Sequence, residues 1–267
     1  MKLGITTQTF LNAMTASGEG ACDVIKYAAE QGLDFVEIRN KSFQLSELQL
    51  KQIKECATGE NIELCYAWDG GSLLDESYKD TYDKHFEYAS MLGNGTVIRA
   101  IIDPSLIKSR EYPLDYTEEE MAIIHKRLPE VIKMAEERNV LLTYENSYES
   151  IWGFTELLER NPTMRMTLDT ANFLNIEQQK KTATPDEIFK FFRQNYDIIP
   201  YIHIKSTKDN ILKDIVIIDG DFNWNTLFDI FEGWVCIEVP PSESFVDCKN
   251  RVKVSTEAMN KILKTGK

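Results

Sequence analysis

The five cysteines, Cys22, Cys56, Cys65, Cys236 and Cys248, are odd in number and never fall in Cys-x-x-Cys spacing. That argues against a disulfide framework and against a thiolate zinc site, and fits reduced thiols in a cytoplasmic protein. No apolar stretch approaches the length needed to cross a bilayer, and the polar start Met1-Lys2-Leu3-Gly4-Ile5-Thr6-Thr7-Gln8 lacks the character of a signal peptide. There is no Pro/Gly/Ser-rich linker, no Gly-x-Gly-x-x-Gly and no Gly-Lys-Ser/Thr loop, so neither a nucleotide fingerprint nor a P-loop is present. Basic residues are also short: 30 Lys and Arg against 43 Asp and Glu leave a net charge of −13, with a pI near 4.8. Such a field repels phosphate backbones and anionic membrane surfaces, which removes nucleic acid and membranes from the expected partners. A length of 267 residues suits one domain with a large core.

The second half of the chain carries four apolar, strand-like runs, each ending on a residue able to bind a divalent metal. They are Leu141-Leu142-Thr143-Tyr144-Glu145, Met164-Arg165-Met166-Thr167-Leu168-Asp169, Tyr201-Ile202-His203-Ile204-Lys205 and Trp234-Val235-Cys236-Ile237-Glu238. Each interval between the candidate ligands holds a helical pattern, so they recur at the pace of one strand-plus-helix unit.

The first half repeats the alternation more faintly, with strands expected at 3–7, 34–39, 62–67 and 96–101 and helices at 21–31, 45–57 and 79–91. Helices near 117–138, 150–160, 184–195, 223–231 and 244–264, with strands at 140–145, 165–169, 200–205 and 234–239, complete eight units. Thr117 to Glu120 and Thr184 to Glu187 have capping-box spacing, the latter with Pro185 at the first helical position. The expected fold is a single-domain α/β protein over residues 1–267, a (β/α)8 TIM barrel whose strand C-termini converge on one face. The connections 102–116 and 206–222 are the longest and should lie over that face.

Taken singly, the four endings have bland readings: Glu145 as a solvated strand end, Asp169 as a helix cap, His203 as a satisfied core histidine. Four in four consecutive units point instead to one site. Three carboxylates and an imidazole form a hard, oxygen-rich donor set suited first to Mn2+ or Mg2+, with Co2+ or Zn2+ as alternatives. Carboxylates brought to one point repel one another unless a cation lies among them, so one bound divalent ion is expected.

Tyr144-Glu145-Asn146, Leu168-Asp169-Thr170, His203-Ile204-Lys205 and the run Asp219-Gly220-Asp221-Phe222-Asn223-Trp224 leading to Ile237-Glu238-Val239 resemble the xylose isomerase-like TIM barrels. That family comprises sugar phosphate isomerases and epimerases, among them ketose 3-epimerases and inosose dehydratases, and the resemblance spans essentially the whole chain. It implies that Glu145, Asp169, His203 and Glu238 hold one divalent metal. It also implies that Glu145 and Glu238 act as the acid/base pair on a small sugar or polyol, through an enediolate. A dehydratase of a cyclic polyol ketone needs the same α-proton abstraction, and a catalytically silent sugar-binding barrel is the non-enzymatic alternative. Abasic-site endonucleases share the fold, but their multi-zinc clusters need several histidines and this chain has three.

Epimerases of the family carry Asp-Thr-x-His after strand six, where this chain has Asp169-Thr170-Ala171-Asn172. Asn172 can hydrogen-bond a sugar hydroxyl but cannot shuttle a proton. Nor is an arginine evident shortly after His203. Lys205, two residues on and on the same strand face, is read as a substrate contact or a structural ion pair. Arg99 is read as an anion contact or a partner of a nearby acid, and Trp68 as a wall for a sugar ring or as core packing. Glu37 is expected to support the pocket, and His85 and His125 to lie on helix surfaces. The sequence leaves the oligomeric state open.

Overall fold

A computed structural model describes residues 1–40, 44–68, 72–102, 116–176, 181–213 and 217–265. Eight parallel strands close on themselves in the order β1-β10-β7-β6-β5-β4-β3-β2. They are β1 (Lys2–Thr6), β2 (Phe35–Arg39), β3 (Glu63–Ala67), β4 (Val97–Ala100), β5 (Leu141–Glu145), β6 (Met166–Asp169), β7 (Tyr201–Ile204) and β10 (Trp234–Ile237). Because both faces of every strand are covered, the strands read as nearly continuous apolar runs. Side-chain alternation then sorts them. Val36, Ile38, Leu64, Tyr66, Ile98, Leu142, Tyr144, Leu168, Ile202 and Val235 face outward into the main core, while Phe35, Cys65, Val97, Tyr201 and Cys236 cluster separately and fill the barrel.

Gly4 belongs to the interior set, beside Phe35 and Cys236 in the ladder. A Cβ there would lie 2.4 Å from the Phe35 carbonyl oxygen, so only glycine fits.

The helices that cover the barrel are α2 (Ala21–Glu30), α3 (Glu47–Glu60), α4 (Tyr78–Leu92), α5 (Glu118–Glu137), α6 (Ile151–Arg160), α8 (Pro185–Gln194), α9 (Trp224–Phe228) and α10 (Phe245–Thr265). Both expected capping boxes are present, and Pro185 opens α8. A 3-10 turn (Thr7–Phe10) with α1 (Leu11–Ser17) after β1 was not anticipated, while α7 (Thr170–Leu174) after β6 is the helix start that the cap reading of Asp169 allowed for. The 206–222 connection contains a small antiparallel hairpin, β8 (Thr207–Lys208) and β9 (Ile211–Leu212). Its turn residues Asp209 and Asn210 both have positive φ, as a two-residue type I′ turn requires. The Asp221 carboxylate accepts both turn amides, at 3.1 and 2.9 Å, and latches the tip. The other long connection falls, from 103 to 115, outside the described residues. Among the described residues, no helix is long and apolar enough to cross a membrane.

Candidate metal centre

The ends of β5, β6 and β7 sit in register, with Glu145 opposite Thr167 and Asp169 opposite His203. Glu238 follows β10 and extends its ladder, its amide donating to the Ile204 carbonyl at 3.0 Å. The four residues expected as ligands therefore meet. Donor atoms of Glu145, Asp169 and His203 lie within 4.8 Å of one another, and Glu238 Oε2 lies 3.0 Å from His203 Nδ1. Glu145, Asp169 and His203 are buried, whereas Glu238 and Lys205 keep 13% and 16% of their side chains exposed and mark the opening.

Asp169 is both cap and candidate ligand, one oxygen for each task. Oδ1 accepts the amides of Ala171 and Asn172 at 2.9 and 3.3 Å and starts α7. Oδ2 accepts no hydrogen bond of good geometry and faces the cluster, with the Lys205 ammonium 2.8 Å away. A buried carboxylate oxygen that makes no part of the helix cap and faces the other candidate ligands, with one ammonium beside it, fits a divalent cation.

The carboxylates are not unpaired, which corrects the electrostatic expectation. Arg99 Nη1 lies 3.0 Å from Glu145 Oε2, and the Lys205 ammonium reaches Glu238 Oε1 at 3.3 Å as well as Asp169. Strand alternation explains this: Arg99 and Lys205 occupy inward positions on β4 and just past β7, so the chain brings its own cations to the acids. Burial pushes the Asp169 carboxyl up to about 6. Burial also opposes ionisation of Glu238, but the Lys205 charge and the His203 hydrogen bond outweigh it and hold that carboxyl below its ordinary range. His203 is driven the other way. Burial disfavours its cation, yet the Glu37 charge and the hydrogen bonds the ring donates to Glu238 and Glu37 raise the imidazole well above its usual value.

Two positions expected near the substrate have other partners here. Arg99 is fully buried in its pair with Glu145. The Trp68 ring stacks on His85 (centroids 4.3 Å apart, 11°) and meets Tyr82 and Phe86 edge-on, so it packs against α4 as core. His85 is correspondingly not a surface residue: it is 1% exposed, hydrogen-bonds Tyr66 through Nδ1 at 2.8 Å, and burial pushes its pKa down to about 3. His125 is exposed on α5, as expected. Asn172 lies buried in α7, three residues past Asp169.

Asn146 was quoted in the sequence motif without a role. Its amide Nδ2 donates to the Asp169 carbonyl and its Oδ1 accepts the Asp169 amide, both at 2.8 Å, extending the β5–β6 ladder by a side chain where backbone pairing stops. Each buried backbone group left unsatisfied costs about 1–3 kcal/mol. Asn146→Ala is therefore expected to destabilise the protein by roughly 2–4 kcal/mol in urea unfolding; a loss under about 0.5 kcal/mol would show that the clamp contributes nothing.

A closed eight-stranded parallel barrel with a polar cluster at its C-terminal mouth defines the class. The chain belongs to the xylose isomerase-like TIM barrel family, whose profile matches residues 25–264. Among curated proteins it is similar to inosose dehydratase of Clostridium tetani, 21% identical over 218 residues, covering 70% of this chain and 72% of that one. Among solved structures it is similar to D-psicose 3-epimerase of Clostridium cellulolyticum H10 with D-tagatose (TM-score 0.70, 16% identity, 98% and 99% of the two chains). It is also similar to the IolI protein with a zinc atom (TM-score 0.73, 15% identity, 100% and 99%). At these identities the structural likeness speaks for the fold.

Proposed function

We propose that this chain is a divalent-metal-dependent sugar or polyol isomerase or epimerase that works by α-proton abstraction through an enediolate. The observation that carries the reading is the convergence of Glu145, Asp169 and His203 from three adjacent strands, donors within 4.8 Å, with Glu238 joining from β10. These four residues would hold the ion, Mn2+ first by donor hardness and Zn2+, Mg2+ or Co2+ as alternatives. When bound, the ion supplies Lewis-acid stabilisation of negative charge on the substrate oxygens.

The remaining chemistry belongs to the chain. Glu145 and Glu238 approach His203 from separate strands and take and return the proton at the carbon beside the carbonyl, one from each face of the substrate. Lys205, at the opening, balances Asp169 and Glu238 and contacts a substrate oxygen. Asn172 hydrogen-bonds a hydroxyl without carrying a proton. A metal-dependent dehydratase of a cyclic polyol ketone is the second reading, favoured by the inosose dehydratase relative; it shares the abstraction step and then expels water.

Purified protein is expected to hold about one divalent ion per chain, with chelation lowering the melting temperature and Mn2+ restoring it. Turnover on a panel of ketoses and inososes would then separate epimerase from dehydratase. Metal analysis finding no ion, with a melting temperature unmoved by Mn2+, Mg2+, Co2+ and Zn2+, would sink the reading.

A further inference from the structure

We propose that Glu37 is a positioning residue for the metal centre, accepting the Nε2–H of His203 so that Nδ1 is the nitrogen turned toward the ion. The inference rests on the metal reading above and assigns a task to a carboxylate that this reading leaves unused. Glu37 lies within β2 and is fully buried. An acid there is costly unless it is hydrogen-bonded, and its partners are specific. Oε2 accepts from His203 Nε2 at 2.8 Å and from the Tyr201 hydroxyl at 2.9 Å.

The tautomer follows from elementary chemistry. An ionised carboxylate only accepts hydrogen bonds, so Nε2 keeps its proton against Glu37, and Nδ1, which turns toward Glu145 and Glu238, is the nitrogen whose proton an ion among those acids would replace. Nδ1 is the atom that faces Glu238 Oε2 at 3.0 Å and Glu145 Oε1 at 3.6 Å. The ring plane is fixed as well: Tyr201 meets the imidazole edge-on, centroids 5.0 Å apart at 89°, while its hydroxyl holds the same Glu37 oxygen. Glu37 also groups with His203 and Cys236 as a conceivable ligand trio. In that arrangement, however, His203 Nε2 and Glu37 Oε2 are already committed to each other.

The test is Co2+ affinity of the full chain, by calorimetry and by the visible absorption of the bound ion, in the wild type, Glu37→Met, Glu37→Gln and Tyr201→Phe. Loss of an outer carboxylate partner of a ligating histidine typically weakens metal binding by about 10–100-fold. Glu37→Met is expected to show such a loss, and Glu37→Gln, which keeps an acceptor oxygen, a smaller one. Tyr201→Phe is expected to fall nearer the wild type. A purely structural Glu37 would lower the melting temperature and leave the Co2+ dissociation constant of folded protein in place. If Glu37→Met does not fold, the other two variants decide. Folded Glu37 variants, or Glu37→Gln and Tyr201→Phe together, binding Co2+ within about twofold of the wild type would overturn the assignment. A wild type that binds no Co2+ would instead overturn the metal reading, and this inference with it.

Discussion

Turnover of Glu145→Gln and of Glu238→Gln is expected to fall by about 10²–10⁴-fold, the usual contribution of a positioned acid or base. The amide is nearly isosteric with the carboxylate, so the barrel should persist while basicity is lost, although Glu145→Gln also removes the charge that faces the buried Arg99 and should lower stability. In deuterated solvent the wild type should place deuterium at the carbon beside the carbonyl, because a carboxylate that has taken a proton can trade it with water between half-reactions. Each variant should lose exchange at the carbon its side chain serves. Metal content must be measured on the same samples, since both residues are also proposed ligands; a variant that keeps its ion and loses exchange isolates the proton-transfer role. Deuterium-free product from an active wild type would require a shielded proton or a hydride transfer, and the two-glutamate mechanism would be abandoned.

The largest stability effect is expected at Arg99. Its guanidinium and the Glu145 carboxylate are both buried, 3.0 Å apart. Taking away one partner of such a pair leaves an uncompensated interior charge, which costs roughly 3–5 kcal/mol, whereas replacing both by neutral groups is far milder. Arg99→Met should therefore unfold at markedly lower urea than the wild type in chelator-treated protein. Arg99→Met combined with Glu145→Gln should recover much of the loss. If the single variant costs less than about 1 kcal/mol, or the double variant is no better than the single, the Arg99–Glu145 pair does not hold this part of the barrel together.

Strand endings were legible because a parallel strand covered on both faces must be apolar throughout, so a Glu, Asp or His at its end stands out. The chain's own counter-charges were harder to read. Arg99 and Lys205 are ordinary basic residues in sequence, and only the pairing of neighbouring strands brings them beside acids that lie more than thirty residues away along the chain. His85 left a usable signal: with Tyr78, Tyr82, Phe86 and Ala89 it follows the spacing of a buried helical face. The Asp209-Asn210 turn was likewise readable as hairpin chemistry, but its strands are two residues each and carry no periodicity. The Asn146 clamp had no signature, since its partner is a backbone group and backbone groups are the same at every position.

Asp169 gives one oxygen to the start of α7 and the other to the cluster. Exploring new chemistry in this barrel, by natural drift or by directed evolution, is therefore not equally open at the four corners of the site. Neither Glu145 nor Glu238 begins a helix: exchange at Glu238 falls mainly on charge balance and reactivity, and exchange at Glu145 falls also on the buried pair with Arg99. A replacement at 169 must first start a helix, and a library randomised there would be winnowed for folding before any activity could be selected.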